Sequence, residues 1–204
     1  MAMKIELHLH TNRYSACAAS SPEALLCRLT EASYEAVFLT EHDAVWSDGE
    51  LAELQDSFPA VRIYPGLEAS IGGDWSVQHL LVLGTNDPRY LAMSEPGEIL
   101  RRARGEGHLT ILAHPCRWEG ADRLLRAGLA PDAVEAYTCN QEGDLAEQAI
   151  RLAKRLGIPA VNAGDIHHAD RIGRFWIETT RPIVRAPEIR PAILDRAYRN
   201  CRGD

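Results

Sequence analysis

No apolar run in this sequence approaches the roughly 20 residues that a membrane-spanning helix needs. The N-terminus lacks the charged and apolar segments of a secretory signal. The expectation is a cytoplasmic protein without a membrane partner. None of the five cysteines, Cys17, Cys27, Cys116, Cys139 and Cys201, forms a CxxC pair, and their number is odd. A disulfide framework and a zinc ribbon are therefore both disfavoured. Aromatic residues make up only 6% and the net charge is −7, so neither a stacking platform nor a basic stripe for long nucleic acid is evident. A small phosphorylated substrate stays compatible, because bound cations make an acidic pocket locally positive. There is no GxSxG elbow, and GEGHL (105–109) has the wrong order for a dinucleotide turn, leading from a helix into a strand. Repeats, low-complexity linkers and composition breaks are absent too, so residues 1–204 are read as a single domain.

What the chain does have is alternation. Apolar runs of strand length occupy 4–9, 36–42, 61–68, 77–84, 108–115, 132–137, 158–165 and 173–180. Between them lie stretches of helix length near 21–33, 48–57, 95–106, 120–128, 142–156 and 186–201. Pro22, Pro96 and Pro187 stand in first helical turns, where a missing N–H is tolerated. Gly157 followed by Pro159 ends the stretch 142–156. This alternation predicts an α/β protein with a mainly parallel sheet. Seven or eight strands in this length suit a small, distorted (β/α) barrel, with an open doubly wound sheet as the alternative. In both architectures ligands gather at the carboxyl ends of strands.

The first strand, KIELHLH, places Ile5, Leu7 and Leu9 on one face and Glu6, His8 and His10 on the other. Two histidines so spaced stand roughly 6–7 Å apart at Cα and can share one metal ion. Alone, the pair reads equally well as a solvated strand face. The rest of the chain decides. Seven of the eight histidines, His8, His10, His42, His79, His114, His167 and His168, fall at predicted strand ends or in the Gln78-His79 stretch, and only His108 lies outside. Glu68 and Asp165 stand among them. His, Glu and Asp together are the ligand set of zinc, manganese or iron.

In order along residues 4–174, HLHT, LTEHD, PGLE, QHLLVLG, AHP and AGDIH before GR resemble the PHP (polymerase and histidinol phosphatase) superfamily. The resemblance implies a distorted seven-stranded (β/α) barrel. Its site, at the C-terminal ends of the strands, would hold two or three divalent metal ions (Mn, Fe or Zn) and hydrolyse phosphate esters. It assigns His8, His10 and Asp165 to a first metal, with Glu68 bridging to a second. His79 and His114 complete the second, and His42 and His167 hold a third. One stretch departs from the pattern: relatives carry SDG before the helix start, with an aspartate for the third metal, whereas this chain has YSACAASSPE. Counting back from Pro22 reaches Cys17, and counting forward from His10 reaches Ser15. Cys17 reads either as a thiolate ligand or as a small buried residue.

Two cations about 3.5–4 Å apart lower the pKa of a shared water towards neutrality and make it a nucleophile for phosphorus. Glu68 is the expected bridge, and Asp165 or His167 the expected proton-transfer group. Arg13, in the loop after the first strand, and Arg117, three residues past His114, are candidates for guanidinium contact with phosphate. The expected partner is a small phosphorylated substrate (a monoester, a nucleotide or an oligonucleotide end), with no dedicated protein partner. Two other functions compete. An amidohydrolase-like enzyme often bridges its metals with a carboxylated lysine, whereas Lys4 and Lys154 both lie away from strand ends. A non-catalytic PHP-like domain would be marked by a degenerate site.

Overall fold

The computed structural model describes residues 2–71 and 78–203. Among these, nine strands form one sheet in the order β7-β6-β5-β4-β3-β2-β1-β8-β9. They are β1 (Met3–Leu9), β2 (Ala36–Leu39), β3 (Arg62–Ile71), β4 (Gln78–Leu83), β5 (Leu109–Ala113), β6 (Ala133–Glu135), β7 (Ala160–Val161), β8 (Phe175–Thr179) and β9 (Tyr198–Arg202). Val77, the predicted start of the fourth strand, lies outside the described residues. Strands β1 to β7 close into a ring, because Ile166, just past β7, bridges Leu9 in parallel. Its amide donates to the His8 carbonyl at 3.1 Å, and its carbonyl accepts from the His10 amide at 2.8 Å. Strands β8 and β9 hang on β1 as an antiparallel hairpin. The predicted barrel is thus present, with nine strands in the sheet rather than seven; the extra two are that hairpin.

The sheet is only half parallel, which corrects the expectation of a mainly parallel one. Pairs β1–β2, β2–β3, β5–β6 and β6–β7 are parallel, whereas β3–β4, β4–β5, β1–β8 and β8–β9 are antiparallel. The six residues between β3 and β4 are too few for the crossover that a parallel pair requires. Strand β4 therefore runs backwards, and its first residues, not its last, meet the carboxyl ends of β3 and β5. That reversal carries His79 to the site.

Helices α1 (Pro22–Glu31), α2 (Asp48–Ser57), α3 (Pro96–Glu106) and, after the short α4 (Arg123–Arg126), α5 (Gly143–Leu156) follow the predicted ranges. Ser21 caps α1 by accepting from Ala24 N, Ser47 and Glu50 form a reciprocal capping box on α2, and left-handed Gly157 ends α5. Two predicted helices shrink. The stretch 120–128 keeps one turn, flanked by Gly120 and Gly128 at φ +85° and +77°. The stretch 186–201 keeps a 3₁₀ turn at Ala186–Glu188 and α6 (Ile189–Leu194), because Tyr198–Arg202 pair in register with β8. Long-range pairing overrides the local helical pattern there.

Ile5, Leu7, Phe38, Tyr64, Leu81, Ile111, Ala133 and Val161 form one core cluster. Every strand of the ring contributes to it, so it fills the barrel interior. Leu9 instead packs outside, with Leu25, Leu26 and Leu29 of α1 and Val37 of β2. This corrects the simple alternation read for β1. The register of β1 on β2 slips between Glu6 and Leu9, and such a bulge changes the phase of a strand and re-aims its side chains. At the slip, the His8 amide donates to Glu6 Oε1 at 3.0 Å.

Candidate metal centre

The fold brings one carboxylate under five imidazoles. Glu68, in β3, is fully buried. Its Oε2 lies 3.0 Å from His8 Nε2, 3.0 Å from His10 Nε2 and 3.1 Å from His42 Nδ1. Its Oε1 lies 3.0 Å from His79 Nδ1 and 3.3 Å from His114 Nε2. These histidines come from the end of β1, the loop after β2, the start of β4 and the end of β5. Asp165, after β7, adds Oδ1 at 3.5 Å from each of His8 Nε2, His10 Nε2 and His167 Nδ1. Three overlapping groups result, His8-His10-Asp165, His42-Glu68-His79 and His10-His42-His167, each with its ligand atoms within 4.8 Å of one another.

The spacing suits a metal ion better than a hydrogen-bond network. Ligands held roughly 2.0–2.1 Å from one ion stand about 2.9–3.4 Å from each other. His8 Nε2 and His10 Nε2 face each other at 2.8 Å, a juxtaposition that neutral imidazoles make only by sharing one proton. His114 Nδ1 is buried with no hydrogen-bond partner among the described residues. The donor set is that of a divalent transition metal.

Charge within the cluster points the same way. Burial alone would raise the Glu68 carboxyl, but charged His8 and hydrogen bonds from His10, His114 and His79 hold it well below the carboxylate range. Burial opposes ionisation of Asp165 too, and again His8 and His10 outweigh it. Burial works against charge on His8, yet Glu68, Asp165 and Glu135 raise its pKa well above that of a free imidazole. Towards the rim the balance reverses: burial pushes His42 down to about 4 and also lowers His167. Protons favoured on His8 and His10 therefore stand where a cation would offset two buried carboxylates, and metal uptake would release them.

A further layer orients the ligands. His8 Nδ1 bonds Glu135 Oε1 at 2.7 Å, and His10 Nδ1 bonds Ser15 Oγ at 3.3 Å. Each leaves Nε2 to the centre, as outer partners of ligating histidines do. Ser15 donates to Glu41 at 2.6 Å and accepts the His42 amide at 3.1 Å. Asn140 donates to Asp165 Oδ2 at 2.6 Å. Glu135, Glu41 and Asn140 were not singled out from sequence. The available signal was an isolated carboxylate inside an apolar strand, AVEA at 133–136, where nothing local would solvate it.

The structure gathers His8, His10, His42, Glu68, His79, His114, Asp165 and His167, but not every predicted residue. Cys17 joins no three-ligand group among the described residues. The residue is exposed, and partial desolvation of its thiol together with the nearby carboxylates raises its pKa. It lines an adjacent cavity of about 370 Å³ with Arg117, Cys139, Asn140, Asp165, His167 and Arg171. Ser15, the alternative position, supports His10 and His42 from behind. Arg117 stands in that cavity with its guanidinium 4.0 Å over Trp118. Arg13 does not line it: its guanidinium bonds Glu50 at 3.2 Å.

A barrel with a polyhistidine and carboxylate cluster at its carboxyl end offers the donor set of a metal centre. The comparisons bear on the fold. Residues 145–198 match the family model described as PHP-associated. No curated protein sequence matches the chain. Among solved structures, a two-domain protein from Bacteroides vulgatus, containing a predicted PHP-like metal-dependent phosphoesterase, superposes with a TM-score of 0.75 at 16% identity. The match covers 98% of this chain and 65% of that one, so the chain spans just under two thirds of that relative. An amidohydrolase from Chromobacterium violaceum, with bound sulfate and no metal, matches with a TM-score of 0.65 at 16% identity, over 96% of this chain and 97% of that one. A lesion-specific endonuclease from Pyrococcus furiosus matches with a TM-score of 0.62 at 16% identity, over 96% and 56%. In fold, the chain is similar to these PHP-like structures.

Proposed function

We propose that this chain is a metal-dependent phosphoesterase acting on a small phosphate ester, a monoester, a nucleotide or an oligonucleotide end. The observation that carries the reading is the convergence of five histidine nitrogens on the two oxygens of buried Glu68. His8, His10 and Asp165 would hold one divalent ion, Glu68 would bridge to a second with His79 and His114, and His42 and His167 would serve a third. When bound, such ions acidify a water molecule and neutralise charge on the phosphoryl oxygens.

The chain's own residues set the remaining roles. Asn140 ties up Asp165 Oδ2, leaving Oδ1 to ligate or to accept a proton from the attacking water. Burial lowers the pKa of His167, which favours the neutral ring that can ligate or accept a proton. Arg117 and Arg171 line the cavity beside Asp165 and His167 and match phosphate geometry. About 370 Å³ admits a phosphoryl group and a compact leaving group. An amide-hydrolysing reading draws less support: Lys4 donates to Ala32 O and lies over Tyr34 and Trp176, and Lys154 lies in α5.

The test is a substrate panel of phosphomonoesters, phosphodiesters, amides and carboxylic esters, run on chelated protein before and after adding back Mn²⁺, Zn²⁺ or Fe²⁺. Metal-restored hydrolysis confined to phosphate esters supports the proposal. Hydrolysis confined to amides or carboxylic esters, or none at all, refutes it.

A further inference from the structure

Glu135 is fully buried and belongs to none of the three ligand groups. The pairing Leu112↔Val134 between parallel β5 and β6 puts it abreast of the end of β5, beside His114. Both of its oxygens are committed. Oε1 meets His8 Nδ1 at 2.7 Å, and Oε2 accepts the His114 backbone N–H at 2.7 Å. His114 has a φ of +28°, a conformation that a non-glycine residue holds only when its surroundings enforce it. The backbone under Glu135 is itself clamped. Gln141 Nε2 donates to the carbonyls of Glu135 and Ala136 at 3.2 and 2.8 Å, while Gln141 Oε1 accepts the Cys116 amide at 2.7 Å.

We propose that Glu135 is the positioning residue that pre-shapes both halves of the metal centre, through the tautomer of His8 and the strained backbone of His114. This assignment rests on reading the cluster as a metal site. Holding the proton of His8 on Nδ1 keeps the Nε2 lone pair facing His10, Glu68 and Asp165. Holding the His114 amide keeps that imidazole on Glu68 Oε1. One carboxylate thus sets a ligand of the first ion and a ligand of the second.

The chemistry makes glutamine an informative replacement. Both partners of Glu135 are donors, and a carboxylate offers an acceptor to each. An amide has one acceptor oxygen and one donating nitrogen, so Glu135→Gln satisfies only one partner. It either turns the His8 ring to the tautomer with the proton on Nε2, closed to an ion, or sets an N–H against the His114 N–H. Glu135→Asp retains the charge with a shorter reach and serves as the second variant.

The experiment pairs ¹⁵N NMR of the histidine rings with calorimetric titration of chelated protein with Zn²⁺ and Mn²⁺. In the wild type, His8 Nδ1 is protonated whether or not metal is present. In Glu135→Gln, the His8 ring shifts move, or the His114 amide loses its hydrogen-bonded shift, and affinity falls about 10–100-fold, the usual effect of losing an outer partner. Glu135→Asp lies between. A bare His8 Nδ1 in the wild type, or full affinity for every ion in folded Glu135→Gln, overturns the assignment. If the wild type takes up no metal, the proposed function fails, and ring spectra recorded at a pH where the His8 ring carries a single proton still decide whether Glu135 holds it on Nδ1.

Discussion

Glu68 Oε2 lies 3.0 Å from His8 Nε2, although the residues are 60 apart in sequence and both are shut off from solvent. A buried carboxylate in that position accepts from, or ligates alongside, every inner histidine. Glu68→Gln keeps the shape and removes the charge. The variant is expected to retain less metal than the wild type and to lose about 10²–10³-fold in kcat, the scale seen on removing one transition-state electrostatic contact. Retained metal and wild-type turnover would show that Glu68 is not the bridge.

Arg13 and Arg117 separate cleanly. Arg117 lines the cavity with Asp165 and His167, whereas Arg13 is spent on Glu50. A hydrogen bond to a charged group is worth about 1.5–3 kcal/mol, so Arg117→Ala should lower kcat/KM for the preferred phosphate ester by about 10–100-fold. Arg13→Ala should leave it nearly unchanged. Steady-state kinetics on the two variants checks the contrast, and equal losses would restore Arg13 as a substrate contact.

Gly164 precedes Asp165 where the backbone passes Glu6. A Cβ at this position would stand 2.5 Å from the Ile166 side chain and 2.6 Å from Glu6 Oε2. Both neighbours are buried and cannot yield cheaply. Gly164→Ala should destabilise the fold by about 1–3 kcal/mol, the range for overpacking, and weaken metal binding by moving Asp165. Urea unfolding of chelated protein measures the first effect and titration with Zn²⁺ the second.

The capping box of α2 supplies a pH dependence away from the metal centre. Hydrogen bonds from Tyr14 first, then from Ser47, hold the Glu50 carboxyl down to about 2, against 4.5 in the unfolded chain. With the folded value depressed, its contribution to stability is present above about pH 4.5 and is lost as the pH falls towards 2. Acid titrations of wild type and Glu50→Gln should therefore converge near pH 2 and separate above pH 4.5. At neutral pH, Ser47→Ala should cost about 1 kcal/mol.

Much of this was legible because it is local. Caps at Ser21 and Gly157 depend only on their neighbours, and histidines at the ends of apolar runs mark a pole of the sheet. His79 was the awkward member, standing at the start of its strand. It reaches the site only because β4 is antiparallel, a reversal that the short β3–β4 connection already required. The bulge in β1 was not legible, since it exists only relative to the register of β2. Tyr198–Arg202 read as the end of a helix because its pairing with β8 spans distant sequence. Glu135 escaped notice because its two partners, His8 and the His114 amide, come together only in the closed barrel.

The most direct measurement is the metal content of wild-type protein purified without chelator, by elemental analysis, alongside Glu68→Gln. Two or three divalent ions per wild-type chain, depleted in the variant together with phosphate-ester hydrolysis, is the predicted result. A wild-type chain that neither retains nor takes up metal, and hydrolyses no phosphate ester, would contradict it.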